Sequence, residues 1–145
     1  MKNKKSIYDA IILVLVILFA PKVAIAHQVD GEIERQLLSS SALPNLPGHK
    51  LTSMIVEFGP GSSAPAHRHD AFLFVYVLSG SVLSQLNQDE AIVYHAGDSW
   101  VESPTDIHTQ TTNMSETETT KLLVVFIAEE RAKLSSSRLK TRSEL

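Results

Sequence analysis

Between Leu51 and Ala128 the chain runs as seven short segments rich in β-branched and aromatic residues: LTSMIVEF, FLFVYVL, VLSQL, AIVY, SWVE, IHTQT and KLLVVFIA. Gly-Pro-Gly, Ser-Gly, Asn-Gln-Asp-Glu, Ala-Gly-Asp and Pro-Thr-Asp separate them. Runs this short, punctuated by turn-forming residues, leave no room for a helix of useful length and predict an all-β sandwich or barrel. Leu78-Ser79-Gly80-Ser81 reads as a tight hairpin between two of the strands. No repeat period appears.

Histidines stand out within this region. In an extended segment alternate side chains share a face, so His67 and His69 aim at one spot while Arg68 points elsewhere. His108 follows about forty residues later, in the patch that runs from Gly97-Asp98-Ser99-Trp100 through Pro104 to Asn113. Two imidazoles from one strand and one from another converge only if the sheet folds back on itself. A buried polar group without a partner costs about 1–3 kcal/mol, and each neutral ring carries one donor and one acceptor. A shared metal ion satisfies three acceptors at once, so these residues read as metal ligands. A metal-free pocket that holds a substrate anion is the alternative. His49 and His95 read as surface or internally satisfied residues.

The 145 residues suit one domain, and the absence of cysteine excludes disulfides and thiolate metal sites. Residues 1–26 have the form of a cleavable signal peptide. Lys2, Lys4 and Lys5 precede the apolar run AIILVLVILFA, and Ala24-Ile25-Ala26 is an Ala-x-Ala cleavage site. Eleven helical residues reach about 16 Å at about 1.5 Å each, against a hydrocarbon core about 30 Å thick. An uncleaved anchor is therefore the weaker reading, and the membrane is met only through this segment before cleavage. Cleavage removes four lysines and Asp9, a net +3, and takes the formal charge from −3 to −6. An exported, periplasmic or extracellular protein is expected, beginning at His27.

Residues 27–50 read as an arm around the domain with an edge strand near Ile33–Leu38, since Pro44, Pro47 and Gly48 break any regular structure after it. Residues 51–128 form the β domain. Residues 129–145 form a basic tail, read as a short helix and then a disordered end; its scattered cations are a weak signal for acidic lipid. The mild charge and scattered basic residues make no groove for nucleic acid. No nucleophile elbow or ordered Ser/His/Asp set is apparent, and Gly59-Pro60-Gly61 is too short for a phosphate loop.

Gly61-x5-His67-x-His69 with Tyr76-Val77-Leu78-Ser79-Gly80 resembles the first motif of the cupin superfamily, and Gly97-Asp98 through Pro104, His108 and Asn113 resembles the second. The wider pattern is similar to that of small exported bacterial single-domain cupins with an RmlC-like jelly roll. The resemblance implies a double-stranded β-helix, or jelly-roll barrel, with an interior divalent metal: iron, manganese, nickel, copper or zinc. It also implies pairing of copies through sheet edges, hence a homodimer. Cupins usually bind metal through three histidines and a glutamate, and the histidine positions fall on His67, His69 and His108. The glutamate position falls on Leu73, so this chain lacks the usual anionic ligand there, which lowers the expected affinity for hard divalent ions. The second motif departs too, with Thr105-Asp106-Ile107 in place of its usual glycine.

Gln85 is the candidate replacement for that glutamate. Pairing across the expected hairpin brings it opposite Leu73–Phe74, where an inward amide oxygen is a fourth ligand. A hydrogen bond to metal-bound water or an outward side chain are its alternatives. Glu102 is the only other nearby carboxylate in a strand-like setting, and a capping or turn role is preferred for it over metal binding, with lining of the substrate space left open. Asp70 reads as a solvated loop carboxylate or as a partner that orients an imidazole. Two function classes emerge. One is a metal enzyme acting on a small molecule, as an oxygenase, lyase or isomerase; the other is a non-catalytic module that binds metal or a small ligand.

Overall fold

The computed structural model of the protein describes residues 32–136. The expected export segment, the start at His27 and the basic residues from Arg138 onward lie outside them. Among the described residues every strand pairs antiparallel and no helix occurs. One five-stranded sheet runs β1 (Ile33–Ala42), β2 (His49–Phe58), β10 (Thr120–Glu129), β5 (Phe72–Ser79), β8 (Ser99–Glu102). The other runs β3 (Ser63–Ala64), β9 (Ile107–Asn113), β6 (Ser81–Leu86), β7 (Ile92–His95), and the two-residue β4 (His67–Arg68) also pairs with β9.

All seven runs expected from the sequence are strands. The arm carries its edge strand, β1, exposed along almost its whole length and interrupted by a register shift between Leu37 and Ser39. Alternation places the core. On β10, Leu122, Val124, Phe126 and Ala128 are buried, as are Leu73, Val75 and Val77 on β5. They meet Val82 of β6 and Trp100 of β8 in one cluster between the sheets. Burying one such side chain contributes about 1.5–3 kcal/mol, so this cluster is the main source of stability in a chain without disulfides.

Two expectations need correction. Leu78 to Ser81 is not a hairpin. β5 pairs with β10 and β8, whereas β6 pairs with β9 and β7, so the chain at Gly80 turns a corner from one sheet into the other. Gly80 takes φ +77, and a Cβ there would lie 2.5 Å from Thr120 Oγ1. The residues after Ala128 do not start a helix either. Glu130 N–H bonds to the Gly48 carbonyl, the chain turns, and Ser136 pairs with Arg68.

Asn113 ties the far end of the barrel together. Its buried side-chain amide donates to the carbonyls of Phe58 (2.9 Å), Gly59 (3.0 Å) and Glu118 (2.7 Å), while its oxygen accepts from Ser115 N–H and the Thr120 hydroxyl. Asp106, in the place of the second motif's usual glycine, accepts from Ser103 N–H and from the Asn87 amide. Asn87 in turn accepts from Ile107 N–H, and this clasp sets the entry into β9 just before His108.

Candidate metal centre

His67, His69 and His108 meet at one end of the inter-sheet space, with one candidate ligand atom from each lying within 4.8 Å of the others. His67 and His108 face each other in register between β4 and β9, and the His67 and His69 ring centroids stand 4.8 Å apart. His69 and His108 are buried and His67 is half-buried. Arg68 is exposed, as the alternation requires.

The outward-facing contacts of each ring decide which nitrogen looks inward. His67 Nδ1 lies 2.8 Å from the Pro65 carbonyl and His69 Nδ1 lies 2.6 Å from the Leu134 carbonyl. A carbonyl only accepts, so both Nδ1 atoms carry hydrogen and both Nε2 lone pairs are free. His108 is held the other way round: its Nε2 contacts the hydroxyls of Ser84 (2.8 Å) and Thr111 (2.9 Å). Hydroxyls rotate to donate or accept, so His108 can present Nδ1 either as a donor or as a lone pair. Burial lowers the pKa of His67 and His69 below the ordinary imidazole value, against the opposing pull of their carbonyl partners. Both rings are therefore neutral near pH 7, as a metal ligand must be.

Glu102 completes the group. It is 3% exposed at the end of β8, with Oε1 3.0 Å from the Trp100 indole nitrogen and 3.3 Å from His108 Nδ1, and Oε2 3.8 Å from His69 Nε2. Burial pushes its pKa up, but the hydrogen bonds from His108 and the Trp100 N–H outweigh that and hold it below the usual carboxylate range. The expected capping or turn role is thereby corrected: Glu102 is an ionised carboxylate inside the site. It shares the inward parity of Trp100, two residues earlier, and that parity was the signal in the sequence. Leu73, where the resemblance seeks a glutamate, is the direct cross-strand partner of Glu102. Leu73 and Glu102 face the same space.

Gln85 is not part of the group. Its amide donates 2.8 Å to the Asp89 carbonyl, and its ladder partner is Gln110 on the outer face. The expectation depended on pairing across the supposed hairpin. With β6 in the other sheet, Ser84 faces inward in its stead. Asp70 is exposed in the turn after β4, and His49 and His95 lie away from the cluster. Sequence reasoning missed Ser84, although its alternation with the inward Val82 marked it. It also missed the Leu134 carbonyl, for which no local signal exists.

The four side chains form one wall of a cavity of about 330 Å³. Met54, Val75, Leu122, Val124 and Phe126 make much of the rest, and Arg35 stands on its rim. The set of three nitrogen donors suits a first-row divalent ion.

Residues 54–126, half of the chain, match the family model described as the cupin domain. No curated protein matches the chain. Among solved structures it is similar to an RmlC-like cupin from Shewanella frigidimarina (20% identity, 71% of this chain and 82% of that one, TM-score 0.56). A double-stranded β-helix protein from Klebsiella pneumoniae is similar at 18% identity, over 74% and 84% of the two chains, with a TM-score of 0.57. A third similar structure, the DMSP lyase DddQ from Ruegeria pomeroyi, shares 16% identity over 59% of this chain and 42% of its own, with a TM-score of 0.51. At these identities the likeness concerns the fold.

Proposed function

The chain belongs to the cupin-domain family, and from that premise we propose that His67, His69 and His108 hold a divalent metal ion beside a pocket for a small, largely apolar molecule. The observation that carries this reading is the preset of the rings. Two Nε2 lone pairs are turned inward by carbonyls that only accept, and a third ring adapts to them through two rotatable hydroxyls. A structural histidine cluster has no need of three ring nitrogens within 4.8 Å of one another beside a buried carboxylate.

Glu102 supplies the negative charge that the donor set otherwise lacks. Its Oε1 is anchored by Trp100, which leaves Oε2 free to face a cation or to take a proton from a bound ligand. The metal would polarise a bound oxygen or carbonyl group. The apolar walls favour an apolar body, and Arg35 at the rim favours a ligand with an anionic end. Within this reading the protein is a lyase, isomerase or oxygenase of small molecules; a non-catalytic binding module would use the same residues.

Elemental analysis of the purified protein is expected to find a divalent first-row metal. His67→Ala with His69→Ala will lose it while the β-sheet circular dichroism stays unchanged. Metal retained by that double variant at the wild-type ratio would overturn the reading.

A further inference from the structure

The barrel proper ends with β10, and the family match ends at residue 126. Yet one of the three rings is held by a residue beyond both. After the turn at Glu130–Arg131, closed by Ala132 N–H on the Glu129 carbonyl, the chain doubles back along β4. Ser136 and Arg68 exchange both backbone hydrogen bonds, at 3.0 and 3.4 Å. This pairing sets the Leu134 carbonyl 2.6 Å from His69 Nδ1. The Leu134 side chain packs against the core and, with Ser135, lines the cavity.

We infer that the segment Ala132–Ser136 is a working part of the site, a strap whose Leu134 carbonyl fixes the donor atom of His69 and whose Leu134 side chain limits the size of ligand admitted. This rests on the reading of the three histidines as a metal group, but the strap itself stands on geometry that holds with or without an ion. His67 takes its orienting carbonyl from Pro65, two residues away. His69 has its partner 65 residues along the chain, so its tautomer depends on whether the C-terminal segment is docked. The outer partner of a ligating histidine decides which ring nitrogen is free, and losing such a partner typically costs 10–100-fold in metal affinity. Leu134 is a positioning residue through its main chain and a selectivity residue through its side chain, two roles that different variants separate.

The experiment compares the full chain with forms ending at Ser136 and at Arg131. Two readouts are used: Zn²⁺ affinity by competition with a chromophoric chelator, and the ¹⁵N shifts of the His69 ring in the metal-free protein. The form ending at Ser136 is expected to match the full chain in both. The form ending at Arg131 will bind Zn²⁺ at least about tenfold more weakly, and its His69 ring will lose the Nδ1–H signature. Equal affinity and an unchanged ring signature in that shorter form would overturn the inference. If it fails to fold, Ser136→Pro removes the N–H that holds the strap to Arg68 and is expected to give the same two changes; no change in either would overturn the inference equally. Leu134→Ala keeps the carbonyl, so Zn²⁺ affinity will hold within about threefold while a bulky apolar fluorophore that the wild type excludes gains entry; continued exclusion would remove the selectivity role. A full chain that binds no Zn²⁺ would defeat the metal reading alone, because the ring signature still reports on the strap.

Discussion

At the scale of single residues, the pairing of Leu73 with Glu102 matters most. Directly opposed residues of an antiparallel pair have Cβ atoms about 4.5–5.5 Å apart, so an acid can move from one to the other and still face the same imidazoles. Leu73 then joins the apolar wall, at 1% exposure. A buried carboxylate is stable only with partners, and Glu102 has the Trp100 N–H and His108. Glu102→Gln preserves shape and keeps an oxygen for the indole while deleting the charge. Divalent metal affinity is expected to fall at least about tenfold, as measured by isothermal titration, with little change in the near-ultraviolet circular dichroism of Trp100. An unchanged affinity would show that the carboxylate contributes nothing to ion binding.

At the scale of elements, the passage from β5 to β6 is the point on which the two-sheet arrangement turns. Gly80 lies in the left-handed region, and the Thr120 hydroxyl beside it is committed to the Ser81 carbonyl at 2.8 Å and to Asn113 at 3.1 Å. That hydroxyl has nowhere to retreat from an added methyl group. Gly61 offers an internal comparison, with φ +66 and nothing within 4 Å of where a Cβ would stand. Gly61→Ala will cost about 1–2 kcal/mol from backbone conformation alone. Gly80→Ala adds the clash and is expected to cost more, about 2–4 kcal/mol in total. Urea unfolding of the two variants side by side measures the difference; equal losses would mean that Thr120 yields freely. Both turns were readable as turns in the sequence. That Gly80 joins two sheets was not, because a corner and a hairpin use the same residues.

At the scale of the whole molecule, the site is a liability in acid when no metal is bound. His67 and His69 resist protonation in the folded state, so below about pH 6.5 the unfolded chain takes up protons that the folded chain refuses. Glu102 acts in the same direction at lower pH. Its folded pKa lies below the ordinary value of 4.5, so its contribution is complete above 4.5 and is lost as pH falls through the folded value. Stability of the metal-free protein is therefore expected to fall steadily from pH 7 towards pH 4. His67→Asn with His69→Asn will flatten the upper part of that slope, from pH 7 to 5, in urea titrations at successive pH values. A wild-type slope retained by the variant would place the acid sensitivity elsewhere.

Features that depend on near neighbours were legible in the amino-acid sequence. Side-chain alternation set His67 and His69 on one face, turn residues cut the chain into the seven strands, and the edge strand in the arm came from its residual alternation before Pro44. Even so, the run LLVVFIA shows the limit: both of its faces are apolar, and only the assembled sheet reveals that Leu122, Val124 and Phe126 face the core while Leu123, Val125 and Ile127 face outward, half-covered. Which strands are neighbours was settled by the folded molecule alone. It turned Gln85 outward, set Glu102 beside Leu73, and brought the Leu134 carbonyl to His69 across 65 residues. The reason is physical. Periodicity is a property of one strand, whereas register and sheet membership come from many weak contacts between distant segments, and a catalytic or metal-binding wall is assembled from those.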